Sequence, residues 1–182
     1  MVQSRRLYSA QIVPVLGVIV FINFSWSIGR MFFFMPIWLN FMTIGDILPS
    51  VAYVLAFALF ESLLLLGVLL LLAYLLPGKF LREKFVPQGI LVVIIFTVAT
   101  LLLHKLSYLA YDWSPRQVVT NSLLILAAVV LSALVISYSL IRPLPTFERT
   151  CTSVAERLTV FLYLYIPLGV LSFIVVVIRN IT

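Results

Sequence analysis

The chain has 182 residues, 12 Lys and Arg against 6 Asp and Glu, and a net charge of +6 at pH 7, with 64% hydrophobic and only 10% charged residues. Soluble domains are about half apolar and about a quarter charged, so too few charged side chains are present to cover a water-exposed globule of this size. The excess of cations does not describe a nucleic-acid face, because Lys and Arg stand singly or in short groups between long apolar runs instead of clustering on one patch.

Five apolar stretches follow one another along the chain, over 10–28, 47–76, 86–103, 118–141 and 158–178. Each reaches or approaches the roughly 20 residues that a helix needs to cross about 30 Å of hydrocarbon. None alternates in the way a barrel strand does, and in lipid the backbone must satisfy its own hydrogen bonds. The pattern predicts an all-α, polytopic transmembrane bundle of about five helices in a single domain over 1–182.

The first stretch follows Arg5 and Arg6, as the core of a signal peptide would, but no convincing small-residue cleavage site follows it. It reads as an uncleaved helix. Next comes an aromatic segment over 31–41, Met-Phe-Phe-Phe-Met-Pro-Ile-Trp-Leu-Asn-Phe. It is too short to span and too apolar for water, and it reads as an interfacial segment anchored by Trp38 and the phenylalanines. A lid over a lipid-facing groove is the sharper alternative.

The second stretch, with Asp46 as its candidate cap and Pro77-Gly78 as its stop, is about 45 Å long as a helix and must tilt or protrude. Ser114-Pro115-Arg116-Gln117 gives a good start for the fourth helix, and Arg142-Pro143 ends it. Ser153-Val154-Ala155-Glu156 has capping-box spacing ahead of the fifth. Glu148, Arg149, Glu156 and Arg157 form a mixed-charge stretch there, either an amphipathic extension of that helix or a docking surface.

Cations decide the expected orientation. With the N-terminus in the cytoplasm, the inner side holds Arg5, Arg6, Lys79, Arg82, Lys84, Arg142, Arg149 and Arg157, and the outer side Arg30, Lys105, Arg116 and Arg179. This bias places the chain in a plasma or inner membrane with the C-terminus outside the cytoplasm.

Glu61 carries the most information. A carboxylate near the middle of the second stretch costs about 3 kcal/mol in hydrocarbon, so it calls for a partner, a proton or a polar cavity. The bland explanation is a hydrogen bond across helices that fixes packing. Asn23 falls at a similar depth, and Arg30, His104, Lys105 and Asn121 about 10 Å further out. These six form the candidate polar cluster, opening outward, although Arg30 and Lys105 can equally snorkel to headgroups.

His104 has no matching Cys, Ser or Asp motif, and its bland reading is a polar residue near the interface. Ser25 and Gly29, Ala52 and Ala56, Ala58 and Ser62, Ala128 and Ser132, and Ala133 and Ser137 have the small-xxx-small spacing of close helix contacts. The pair bracketing Glu61 suggests a buried face around the acid.

One Cys and one His leave too few soft ligands for a zinc site, and neither a metal nor a cofactor is expected. HExxH, GxSxG, a glycine-rich phosphate loop and a paired acidic motif for Mg²⁺ do not occur. The leading reading is a noncatalytic accessory or assembly subunit of a membrane complex, in contact with lipids and with a protein partner or further copies of itself. A small oligomeric transporter or channel using Glu61 comes second. An enzyme acting on a lipid-linked substrate at the outer leaflet, with Glu61 and His104 as acid and base, comes last.

Overall fold

The computed structural model describes residues 9–76, 81, 84–107, 115–141 and 145–181. They form α1 (Ser9–Phe41), α2 (Ile44–Leu75), α3 (Phe85–Ser107), α4 (Pro115–Ile141), α5 (Pro145–Leu158), a 3₁₀ turn (Thr159–Phe161) and α6 (Leu162–Ile181). There is no strand among the described residues. Five segments are long and apolar enough to cross a membrane: Ala10–Phe41, Ile44–Leu75, Phe85–Leu103, Leu124–Ile141 and Pro145–Ile181. Between 17 and 39% of their most apolar windows is buried inside the protein. Exposed apolar surface on that scale is untenable in water and is what lipid-facing helices require. The protein is an all-α bundle of membrane-spanning helices.

Several boundaries differ from the sequence reading, each for a local reason. The aromatic segment over 31–41 is no separate element: it continues α1, which is unbroken to Phe41. Pro36 removes one backbone donor inside the helix without ending it. The chain turns only at Met42-Thr43, and Thr43, not Asp46, opens α2. The Asp46 and Ile47 amides donate to the Thr43 carbonyl at 2.9 and 3.0 Å, and the Thr43 hydroxyl donates to Asp46 Oδ2 at 2.6 Å. Asp46 therefore sits three residues inside the cap, where an acid favours the positive end of the helix.

Ser153 likewise does not start a helix. α5 begins eight residues earlier, at Pro145, with Glu148 in its first turn and Arg157 in its last, each at the end that the helix dipole favours. Cys151 and Ala155 are buried while Arg149, Glu156 and Arg157 are exposed, so the mixed-charge stretch forms an amphipathic helix leading into α6. α4 starts at Pro115, as its sequence predicts. Pro77-Gly78, Ser114 and Arg142-Pro143 lie outside the described residues.

Packing divides the chain into two compact units, residues 1–72 with 153–182 and residues 73–152. In the first, α1, α2 and α6 meet around Val20, Phe24, Leu55, Ala58 and Leu162. Glycines make the approach possible. A Cβ on Gly169 would lie 2.9 Å from Leu59 Cβ and 3.1 Å from Phe24 Cζ, and one on Gly17 would lie 3.1 Å from the Thr159 Cα. An aromatic ladder runs beside them: Phe21 on Phe161 at 4.8 Å, Phe161 on Tyr165 at 5.8 Å and Tyr165 stacked on Phe24 at 4.9 Å. The Thr159 hydroxyl donates back to the Glu156 and Ala155 carbonyls where α5 tightens into the 3₁₀ turn.

In the second unit α3 packs along α4. Its buried residues include Phe85, the run Ile90–Val93, Ala133, Ser137 and Ile141. An ion pair at 2.5 Å joins Lys84, just ahead of α3, to Glu148 of α5.

Candidate functional site

The depth of Glu61 follows from the register between α1 and α2. Asn23 Nδ2 donates to Ser62 Oγ at 3.2 Å, and Ser62 Oγ donates to the Ala58 carbonyl at 2.7 Å. Two polar residues near the middle of their helices thus meet inside the helix interface, and they fix how far the helices slide. Ser62 is completely buried and Asn23 half-buried. An interhelical bond of this kind contributes about 0.6–1.7 kcal/mol in membrane bundles.

Glu61 is in a different position. Its side chain is exposed, and among the described residues it has neither a hydrogen bond nor an ion pair. One residue advances a helix by about 100°, so the stripe of Ala58 and Ser62 turns inward while Glu61 turns out. The expectation that the small pair shelters the acid is corrected by that rotation. Around Glu61 on the outer face are Phe57, Phe60 and Leu64, between 54 and 61% exposed. All three are apolar.

Of the remaining members of the predicted cluster, Arg30 belongs to the first unit and His104, Lys105 and Asn121 to the second. Arg30 is exposed on α1, its guanidinium 5.7 Å from the centre of the Phe34 ring, a cation–π contact one helical turn away. Asn121 is half-buried on α4. His104 and Lys105 belong to α3, and their side chains lie outside the described residues. The structure brings Asn23 together with Ser62, a residue that the sequence reading took only as a small packing position. Both are polar and near mid-helix, which was the available signal.

Two further polar contacts lay outside that reading. Asn180 Nδ2 donates to Tyr53 Oη at 2.7 Å, tying the end of α6 to α2, and Lys84 pairs with Glu148. Gln88 is 2% exposed, and its side-chain oxygen has no hydrogen-bond partner among the described residues.

A shallow groove of about 350 Å³ is lined by Val13, Thr159, Leu162, Tyr163, Ile166 and Pro167. None of the candidate residues lines it. Among the described residues no three His, Cys, Asp or Glu side chains group as metal ligands. The chain matches no protein family, no curated protein and no solved structure.

Proposed function

We propose that the protein is an accessory or assembly subunit of a membrane complex and works by binding another membrane-embedded component, without catalysis of its own. One observation carries this reading: an acid within one turn of the midpoint of α2 lies on the exposed face with no companion among the described residues. Left against acyl chains, a charge there costs about 3 kcal/mol. A protein surface that supplies a polar or charged complement offsets that cost. The exposed pairs Ser25 with Gly29 and Ala128 with Ser132 add two places where a helix can approach closely, in contrast to the three other small pairs, which are buried.

The orientation we propose has the N-terminus in the cytoplasm and the C-terminus on the other side, in a plasma or inner membrane, with eight cations inside and four outside. The Lys84–Glu148 pair agrees with the five-crossing path, in which the starts of α3 and α5 share one side, and the cation count alone chooses which side that is. The length of α1 and α2 supports an interfacial place for the aromatic end of α1. At about 48–50 Å they exceed the hydrocarbon, yet tilted by about 25° they match the 40–45 Å of a bilayer with its headgroups. Trp38 and Phe41 then lie at headgroup level.

The test is site-directed photocrosslinking in native membranes. A crosslinker at Leu64, beside Glu61, is expected to capture another protein, and one at buried Val20 to capture none. Recovery of the chain alone, as a monomer, from every mild detergent and with no crosslink at Leu64 overturns the reading.

The same exposed acid favours a second reading, an oligomeric transporter or channel in which copies of Glu61 line a shared pathway. Glu61→Gln in a liposome flux assay separates the two. Proton or cation flux that falls with the substitution supports a pathway, and no flux from the wild-type protein removes it. Catalysis at the outer leaflet has the least support, since no acid–base companion for Glu61 occurs among the described residues.

A further inference from the structure

Resting on the accessory-subunit reading, we infer the chemistry of the partner: Glu61 docks against a transmembrane helix that carries a Lys or Arg at the middle of its own span. Three observations converge. Glu61 lies within a turn of the midpoint of α2, so its counterpart must be at the same depth. Its surroundings, Phe57, Phe60 and Leu64, offer no donor, so the complement has to come from outside the unit. Asn23, the polar residue of α1 at this level, already donates to Ser62 inside the interface, one residue away from the acid. Turning Asn23 from Ser62 to the acid would break that bond.

A lysine or arginine at mid-span has the same difficulty in lipid as Glu61, with the opposite sign. Placed together in hydrocarbon, the two neutralise each other and exchange a pair of exposed charges for one charge-assisted hydrogen bond. A second copy of this chain is a poorer complement: equivalent Glu61 carboxylates meet as like charges, and Arg30 is about 10 Å from the level of Glu61 along the helix. Charge complementarity thus selects a heterologous partner with a basic membrane helix.

Gly67, nearly two turns beyond Glu61, is exposed, and a Cβ there would meet nothing within 4 Å. It lies about 120° around α2 from Glu61, so it leaves room beside the charge pair and not directly above it. It is an accessory to the argument, which stands on Glu61.

The experiment uses the full chain reconstituted in phosphatidylcholine vesicles, labelled on the single thiol of a Leu64→Cys, Cys151→Ala variant. Labelled transmembrane peptides of leucine and alanine are added, one with a central Lys, one with that Lys replaced by Leu, and one with the Lys moved to the end of the span. Energy transfer reports association, and circular dichroism checks that each variant is helical. The central-Lys peptide is expected to bind at least about tenfold more tightly than the other two. Glu61→Leu should erase the difference, and Glu61→Lys should transfer the preference to a peptide with a central Glu.

Equal binding of the three peptides overturns the inference, as does an unchanged preference in Glu61→Leu. Association of the protein with itself that depends on Glu61 and excludes the Lys peptide also overturns it and makes a second copy the occupant. Failure here with a heterologous crosslink at Leu64 intact leaves the accessory role standing and removes only the basic partner. Loss of the crosslink as well removes both.

Discussion

Glu61 and Ser62 are adjacent polar residues at the centre of the same helix, and they meet opposite surroundings. Ser62 lies in the contact between α1 and α2, accepts from Asn23 and donates to its own helix, so every polar atom it brings into the bilayer is satisfied. Glu61 faces outward among Phe57, Phe60 and Leu64, with no hydrogen bond or ion pair among the described residues. The inward face of α2 is satisfied among the described residues, whereas the outward face is the one that the proposed partner would complete. Stability and function therefore separate by one residue.

The comparison breaks most clearly under one substitution made twice. Ser62→Leu inserts a larger side chain into a filled interface and strands Asn23, and it should destabilise the detergent-solubilised chain by about 3 kcal/mol. Glu61→Leu, on the exposed face, should leave that stability unchanged or raise it while abolishing capture of a partner. Thermal unfolding followed by circular dichroism distinguishes them, and equal destabilisation by the two substitutions would contradict the division into faces.

Gly169→Ala comes next. The added carbon must move Leu59, whose own Cβ would be 2.9 Å away, and a Cβ beside a helix backbone gives way little. The expected loss is about 2 kcal/mol. Gly29→Ala, where the added methyl meets open space, should be neutral or slightly stabilising in the same assay. The contrast sharpens the distinction between glycines that admit a neighbouring helix of this chain and those that leave room for another.

Asn23→Leu should cost about 1 kcal/mol, the worth of a single interhelical hydrogen bond. Its diagnostic value lies in the double substitution. With Ser62→Ala already present, Asn23→Leu should cost clearly less, because the bond is gone and the amide is otherwise a burden. Additive losses would mean that the two residues act independently.

The number and approximate place of the helices were legible because lipid imposes one requirement everywhere: about 20 apolar residues whose backbone bonds are internal. Boundaries were legible where a local device acts alone, as at Pro115. They were not legible where two devices compete. Thr43 and Asp46 both offer capping oxygens, and Ser153 with Glu156 has box spacing inside a helix that had already begun at Pro145. The depth of Glu61 could be read from its place in the run, but the direction of its side chain depends on which stripe of α2 meets α1. Small residues mark several stripes, of which the structure buries Ala52–Ala56 and Ala58–Ser62 and leaves Ser25–Gly29 exposed. Contacts such as Asn180 with Tyr53, 127 residues apart, carry no local signal.

The smallest expected effect concerns the second unit, where a part-exposed ion pair joins the start of α3 to α5. Lys84 and Glu148 are 2.5 Å apart, but their side chains are 34 and 32% exposed, so water and salt screen the attraction. The pair is expected to contribute no more than about 0.5 kcal/mol, measured as the coupling energy between Lys84→Met and Glu148→Gln in a double-mutant cycle. That coupling should shrink further in 0.5 M salt, whereas the Asn23–Ser62 coupling, shielded within the helix interface, should not respond to salt. A salt-insensitive Lys84–Glu148 coupling of several kcal/mol would place the pair in a dry interior and erase the contrast between a unit held by glycine contacts and one closed at its end by a solvated clasp.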